Sequence, residues 1–199
     1  MSNSDRINEE REYNEFISAC DYCSSNQVHI AAKQIIHHYT SPIGELTLVS
    51  DGEALIGLMF GGREEFSALG SKGALPIFAE TCRWLDTYFG GGVPDFTPAL
   101  KLNATPFRVA VYDILLTIPY GQTMTYGEIA NILAKQRGIQ RMSAQAVGGA
   151  VGHNPIPIIV PCHRVIGADG SLTGYAGGLD KKTELLKLEK ISLTGCAAK

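Results

Sequence analysis

The sequence predicts an α+β protein, in which a small antiparallel sheet precedes a mostly helical half. Three runs rich in Ile, Leu, Val, Thr and Tyr indicate strands, separated by short turn sequences; they span 34–40, 45–50 and 54–60. Further along, apolar residues recur at helical spacing and the strand signals become rare. A Gly-Gly-Gly-Val-Pro run at 90–94 lies between the two patterns and is typical of a break between structural units.

These patterns divide the chain of 199 residues into four parts. An acidic N-terminal extension is expected to be a short helix or partly disordered, and a short tail ends the chain. The predicted parts are the extension (1–33), an N-terminal α/β domain (34–96), a mostly helical domain (97–192) and the tail (193–199).

Turn and helix signals within the first domain are specific. Asp51-Gly52 is a strong hairpin signal and predicts an antiparallel meander. Residues 76–89 place Phe78, Cys82 and Leu85 at helical spacing, so they predict a helix on which Cys82 serves in packing.

Cap residues mark three helices in the second domain. Thr105 precedes a proline and predicts a helix that Pro119-Tyr120-Gly121 ends. Thr125 and Glu128 have the spacing of a capping box. Ser143 caps a third helix made almost wholly of small residues. Two short helices joined by a turn indicate a helix-turn-helix, although tight packing on a neighbouring helix also explains the small residues.

The charge is unevenly distributed along the chain. The net charge is −3, but residues 1–96 carry −8 and residues 97–199 carry +5. A basic half is expected when only that half meets phosphates, and scatter between two ordinary domains is the alternative. Apolar runs are too short for a membrane span, and the acidic N-terminus is unlike a signal peptide. We therefore expect a cytoplasmic protein.

Five cysteines, an odd number, favour reduced thiols. Cys20 and Cys23 form a Cys-x-x-Cys pair with His29 nearby, which has some character of a zinc site. The spacing fits no tight four-ligand motif, so two ordinary reduced cysteines are favoured over a structural zinc. No cofactor is expected.

The most specific signal is the run from Asn154 to Val165, in which Cys162 and His163 are adjacent. The apolar stretch before them predicts a short buried strand that ends at Pro161, because proline cannot donate to a ladder. Cys162 would then lie at a chain reversal on the edge of a rigid element. This placement suits a thiol that acts as a nucleophile.

The Pro-Cys-His-Arg-Val run, with an asparagine eight residues before the cysteine, resembles the O6-alkylguanine-DNA alkyltransferase family, also called methylated-DNA–protein-cysteine methyltransferases. The resemblance is strong over 100–190 and weak over 34–96. It implies a ribonuclease H-like first domain and a winged-helix-like helix-turn-helix in the second.

The implied activity is DNA repair by direct reversal. A monomer binds duplex DNA through the minor groove and flips the damaged base out. The alkyl group of O6-alkylguanine, and of O4-alkylthymine, then passes irreversibly to Cys162. Each molecule therefore acts once as a stoichiometric methyltransferase.

The resemblance also implies roles for four residues around the nucleophile. His163 is a water-bridged base, Glu189 in the last helix supports it, and Asn154 stabilises the turn. Tyr126 faces the DNA, helps to rotate the nucleotide and donates to guanine N3. From the residues alone, an exposed helix acid is the favoured interpretation of Glu189, and Asn154 could be a turn residue and Tyr126 a core or capping residue.

Two further sets of residues are implied. Tyr175 stacks on the flipped base and the Ala176 N–H bonds O6, with Val151, Val160 and Val165 completing the substrate pocket. The DNA-binding set is Thr125, Tyr126, Arg141, Ser143, Gln145, Ala146, Gly148 and Gly149. Many members of the family have an intercalating arginine where this chain has Gln145, so we expect the arginine substitution to strengthen DNA binding.

Three other functions compete with this interpretation. A non-catalytic sensor of alkylated DNA is weakened by the presence of Cys162. A cysteine hydrolase would need an oxyanion hole and direct pairing of Cys162 with His163. A transcription regulator would need base-edge contacts, which small side chains supply poorly.

Overall fold

The computed structural model describes residues 34–62 and 71–191. The elements are β1 (Ile35–Ser41), β2 (Gly44–Ser50), β3 (Leu55–Phe60), β4 (Ser71–Lys72), α1 (Pro76–Phe89), α2 (Pro106–Leu116), β5 (Met124–Thr125), α3 (Tyr126–Gln136), α4 (Ala144–Gly152), a 3₁₀ helix (Cys162–Arg164), β6 (Val165–Ile166) and α5 (Leu179–Leu188). The predicted extension, with Cys20, Cys23 and His29, lies outside the described residues, as does the tail.

The antiparallel meander is confirmed. β1 pairs with β2 and β2 with β3, both antiparallel, and the sheet order is β3-β2-β1-β4. The turn at Asp51 is held by its carboxylate, which accepts from the N–H groups of Glu53 and Ala54, and Gly52 has a φ of +111°. The parallel pairing of β4 with β1 was not predicted, because β4 has only two residues.

A continuous core joins the sheet to the helical half. α1 buries Trp84, Leu85 and Tyr88 against it. After the 90–94 segment the chain returns to β3, where the Leu55 N–H donates to Ala99 O over 2.8 Å and the Lys101 N–H donates to Leu55 O over 2.9 Å. The predicted break therefore does not interrupt the packing, and α1 faces the residues of the second half.

The helix-turn-helix is present, and its predicted caps are confirmed. Thr105 caps α2, which ends at Leu116, three residues before Pro119. Thr125 and Glu128 form the complete capping box of α3, and Ser143 caps α4. Beside the two helices, β5 and β6 pair in parallel and connect the start of α3 to the segment that follows Cys162.

The predicted strand before Pro161 is wrong. Residues 156–160 are buried as expected, but they form turns with one bridge between Pro157 and Val160. Ile158 has a φ of +74°, which is a strained conformation for a β-branched residue. The prolines at 155 and 157 also lack the N–H groups that a ladder needs. β-Branched composition was thus a misleading signal here.

Within the described residues, no helix is long and apolar enough to cross a membrane.

Candidate active site

A tight turn delivers Cys162. Pro161 has φ −82° and ψ 62°, and the Cys162 N–H donates to Val160 O over 2.8 Å. These values are those of an inverse γ-turn, which reverses the chain in three residues. The 3₁₀ helix Cys162–Arg164 follows at once. The expected chain reversal at the cysteine is therefore present, although no strand precedes it.

Asn154 holds this turn from inside. Its Oδ1 accepts from the Ile156 N–H at 3.1 Å, and its Nδ2 donates to Val160 O at 2.8 Å. Asn154 is 2% exposed, so both bonds are shielded from water. The amide also hydrogen-bonds the Cys162 thiol and lowers its pKa. Asn154 thus lies where it can stabilise the turn that carries Cys162.

His163 and Glu189 form a buried pair. His163 Nε2 lies 2.7 Å from Glu189 Oε1, and both side chains are completely buried. The other ring nitrogen of His163, Nδ1, is buried without a hydrogen-bond partner among the described residues. With the proton on Nε2, Nδ1 carries a free lone pair and can accept a proton.

The Glu189 carboxylate receives several further donors. Arg164 donates from Nε to Oε2 at 2.9 Å and from Nη2 to Oε1 at 3.0 Å, the Gly121 N–H donates at 3.0 Å, and the Tyr88 hydroxyl donates at 2.8 Å. Glu189 follows α5 directly as its C-cap residue instead of lying within the helix. The negative end of the helix dipole disfavours an acid there, and these donors compensate for it.

The two protonation states of the pair follow from this arrangement. Burial by itself raises the pKa of Glu189, but the bonds from His163 and Arg164 outweigh it and hold that pKa well below its usual range. Burial lowers the pKa of His163; Glu189 opposes that change, and the Arg164 and Lys182 charges reinforce it. The imidazole is therefore neutral at pH 7, as a general base must be.

Cys162 is protonated in the resting protein. The residue is 4% exposed, and burial raises the pKa of its thiol to about 11, although Asn154 and Lys182 both lower it. Lys182, on α5, is completely buried, and its Nζ donates to Val165 O at 2.7 Å and Thr173 O at 3.0 Å. Burial brings the pKa of Lys182 down to about 8. The thiol thus has a cation nearby and needs a base to react.

Tyr126 lies at the first position of α3 and is half-buried. Thr173 Oγ1 donates to its hydroxyl oxygen over 3.1 Å, which leaves the phenol proton available for another acceptor. Burial raises the pKa of Tyr126. The phenol therefore stays protonated, and its ring packs against the hydrophobic core, as the core alternative expected.

The predicted substrate loop, which contains Tyr175 and Ala176, lies against both the His163 ring and the sheet. The Tyr175 ring meets the His163 ring edge to face, with centroids 6.5 Å apart, and the Phe60 ring of β3 at 5.6 Å. A Cβ at Gly177 would come within 2.8 Å of Phe60, so the loop packs closely on β3. Of the other predicted pocket residues, Ala176 is exposed, while Val151, Val160 and Val165 are buried in the same core cluster as Cys162.

The exposed face of α4 carries most of the predicted DNA contacts. Its buried side holds Val147, Ala150 and Val151. Arg141 and four residues from Ser143 onwards are exposed: Ser143, Gln145, Ala146 and Gly149. Gly148 instead faces Tyr126, since a Cβ there would lie 3.8 Å from that ring. The surface offered by α4 is therefore slim and nearly free of long side chains.

The structure also places five residues at the site that the sequence pattern did not single out: Phe60, Tyr88, Arg164, Thr173 and Lys182. Arg164 could have been found, because it follows the Cys-His pair directly. Phe60 and Tyr88 lie far away in sequence, and Thr173 and Lys182 are of residue types that have ordinary roles in a loop and a helix. Among the described residues, no group of three or more His, Cys, Asp or Glu is placed to hold a metal ion. His37 stacks on Phe78, and His38 contacts Thr47 Oγ1.

Comparison with known proteins gives consistent results. Residues 106–191 match the model of the 6-O-methylguanine DNA methyltransferase DNA binding domain, and residues 35–103 match that of its ribonuclease-like domain. The chain is 46% identical over 159 residues to the methylated-DNA–protein-cysteine methyltransferase of Mycobacterium bovis, covering 78% of this chain and 93% of the relative. The corresponding protein of Methanosarcina acetivorans is 44% identical over 153 residues, covering 76% and 95%.

Solved structures agree with this result. The Mycobacterium tuberculosis O6-methylguanine methyltransferase superposes with a TM-score of 0.66 at 42% identity, covering 83% of this chain and 96% of that one. A structure of the M. tuberculosis protein in complex with DNA gives a TM-score of 0.66 at 45% identity, covering 78% and 92%.

Together, the fold, the site and these similarities define a DNA-binding transferase with a cysteine nucleophile. The chain belongs to the 6-O-methylguanine DNA methyltransferase family. It repairs DNA by transferring an alkyl group to a cysteine.

Proposed function

We propose that the chain accepts the alkyl group of O6-alkylguanine, and of O4-alkylthymine, on Cys162. The observation that carries this assignment is the His163 ring, which is held by Glu189 through Nε2 while its buried Nδ1 is left to accept a proton. Cys162 is the adjacent residue, on a turn that Asn154 fixes. A thiol next to a supported base is the arrangement that nucleophilic catalysis requires.

The reaction begins with removal of the thiol proton. Because adjacent side chains do not face each other directly, one water relays the proton from the Cys162 sulfur to His163 Nδ1. Glu189 stabilises the imidazolium that forms. The sulfur attacks the alkyl carbon, a C–S bond forms, and the C–O6 bond breaks with its electron pair going to guanine.

The departing guanine needs a proton donor. Tyr126 can supply it at N3, since its oxygen already accepts from Thr173 and its own proton is free to be donated. The imidazolium at His163 holds the proton that restores the phenol. The product thioether on Cys162 is not readily hydrolysed, so each molecule acts once.

The target base reaches Cys162 only after leaving the duplex, because the thiol is almost completely buried. We infer that α4 enters the minor groove, since its exposed face is narrow and carries mainly Gln145, Ala146 and Gly149. Arg141 and Ser143, which are exposed just before α4, and Thr125, at the start of α3, contact the DNA backbone. Tyr175 and the Ala176 N–H then bind the extruded base. The chain acts as a monomer without an organic cofactor.

The test is the mass of the intact protein and of its Cys162 peptide after mixing with a duplex that carries one O6-methylguanine. We expect a gain of one methylene on that peptide, saturating at one per protein. Cys162→Ser should bind the same duplex and gain no mass. If the unsubstituted chain binds the duplex without a mass change, the function is that of a non-catalytic sensor of alkylated DNA. If it turns over an ester repeatedly, the function is that of a cysteine hydrolase.

A further inference from the structure

A residue of the sheet domain reaches the catalytic pair. Tyr88 lies near the end of α1 and is completely buried. Its hydroxyl donates to Glu189 Oε1 over 2.8 Å and lies 3.2 Å from His163 Nε2. Among the described residues, the other groups that bind this carboxylate come from the second half of the chain: Gly121, His163 and Arg164.

The three polar atoms form a closed triangle, in which His163 Nε2 and Glu189 Oε1 are 2.7 Å apart. Because Tyr88 gives its proton to Oε1, the phenol oxygen presents a lone pair to Nε2. Both neighbours of Nε2 are then acceptors, which requires the ring proton on Nε2. The opposite tautomer would place the Nε2 lone pair against two oxygens. This contact therefore leaves Nδ1 free to accept a proton.

Aromatic packing holds the hydroxyl in place. The Tyr88 ring stacks on Trp84 with centroids 5.3 Å apart and meets Phe89 and Tyr120 edge to face at 5.4 and 6.0 Å. Burial and the Glu189 charge raise the pKa of Tyr88, so its hydroxyl stays protonated and acts as a donor. A rigid donor of this kind fixes its acceptor with little loss of entropy on each reaction.

We propose that Tyr88 is a positioning residue for alkyl transfer, holding the Glu189 carboxylate and the His163 ring in the tautomer that accepts the thiol proton. This inference rests on the proposed function, because it assigns a residue to the same site. It makes α1 of the sheet domain part of the reaction machinery of the second half.

Burial and the charges of Glu189, Arg164 and Lys182 shift the pKa of His163. The other titratable groups that face the ring are Tyr88, Tyr175 and the adjacent Cys162, and Tyr120 lies against Tyr88. Tyr88 shares Oε1 with His163 and withdraws negative charge from that oxygen. Removing the hydroxyl leaves more negative charge on Oε1, and this charge stabilises the protonated form of His163. The pKa of His163 should therefore rise, and the acidic limb of the rate profile should move to higher pH.

The experiment is Tyr88→Phe in the full chain, with single-turnover transfer from an O6-methylguanine duplex followed from about pH 5 to about pH 9. We expect a rate about tenfold lower at pH 7, an acidic limb at higher pH, and unchanged affinity for the duplex. The matched control is Tyr39→Phe, because the Tyr39 hydroxyl also binds α1, at Asp86 over 2.7 Å. Its rate and acidic limb should equal those of the unsubstituted chain.

Replacing Tyr88 by 3-fluorotyrosine tests the same contact without removing it. Fluorine makes the phenol a stronger donor, so the acidic limb should move to lower pH. The proposal fails if both variants keep the original limb, or if Tyr88→Phe loses rate equally at every pH in proportion to its unfolded fraction. Absence of transfer by the unsubstituted chain would instead overturn the proposed function.

Discussion

Arg164 and His163 are neighbours in sequence and bind the same carboxylate: Arg164 Nε donates to Glu189 Oε2 at 2.9 Å and His163 Nε2 contacts Oε1 at 2.7 Å. The Arg164 Nη1 also donates to Ile118 O at 2.6 Å, which ties the pair to the segment after α2. The arginine offsets much of the negative charge of Glu189, which would otherwise raise the pKa of the imidazole. Burial is the main reason why the pKa of His163 is low, and the same 3₁₀ turn that supplies this imidazole also supplies a cation that lowers its pKa further.

Glu189→Gln should slow transfer by about two orders of magnitude, because a neutral amide does not stabilise the imidazolium. The amide also presents an NH₂ group to donors, which should cost about 1–3 kcal/mol of the free energy of unfolding. Rapid-quench transfer and thermal unfolding measure the two effects, with the exposed Glu184→Gln on α5 as control.

The stability effect has a defined pH dependence. The pKa of Glu189 lies below its ordinary value, so the carboxylate stabilises the fold above the ordinary carboxyl range and loses this effect as the pH falls. The gap in unfolding free energy between Glu189→Gln and the unsubstituted chain should therefore narrow in acid. A gap that is constant with pH would contradict the ion pairing.

Lys182→Met should slow transfer by about tenfold at pH 7, because the thiolate loses a nearby cation. Since Lys182 has a pKa of about 8, its charge is lost above that pH and the rate difference should shrink. The control is Lys187→Met, an exposed position on the same helix. A rate ratio that does not change between neutral and alkaline pH would exclude an electrostatic role.

The unfolding free energy should also report on the buried lysine. A folded pKa below the unfolded value of 10.5 means that the unfolded chain holds more protons between about 8 and 10.5. The stability contributed by position 182 therefore rises with pH across that window in the unsubstituted chain. Lys182→Met should lack this rise, which chemical denaturation at several pH values can measure.

Gly149→Leu should fold normally and bind DNA poorly. A Cβ at Gly149 meets nothing within 4 Å, so the free protein has room for the side chain. The same side chain would widen a helix that we expect to enter a narrow groove. Gly149→Ala is the matched control, and it should gain up to about 1 kcal/mol of helix stability. Unchanged duplex affinity for the leucine variant would place the groove contact elsewhere.

Gln145→Arg should strengthen binding to duplex DNA. Gln145 is exposed near the start of α4, and arginine adds a cation and a planar group that stacks on bases. Titration at fixed salt should show tighter binding. The slope of log affinity against log salt concentration should also steepen by the amount expected for about one additional phosphate contact. Gln145→Met has a similar length without the charge and should not reproduce the change. Equal or weaker binding by the arginine variant would refute the expectation.

Local sequence signals determined much of the fold. The strands and caps were predictable because they depend on neighbours: Thr125 and Glu128 are three residues apart, and the Asp51 turn closes on itself. The failed strand before Pro161 has a local explanation too, since composition does not reveal the positive φ at Ile158. The sequence thus predicted elements well where hydrogen bonds were short-range.

The sequence by itself also predicted the nucleophile and its chemistry, because Asn154, Cys162 and His163 lie within one short run. Only the tertiary structure decided how the base is held. Tyr88 is 75 residues from His163 and 101 from Glu189, and its hydroxyl reaches them because α1 packs on the second half. Lys182 is buried where α5 meets the segment that carries Val165 and Thr173, whose carbonyl oxygens it binds. The physical cause is that packing, which acts between distant segments, sets the burial and hydrogen bonds that tune a titratable group.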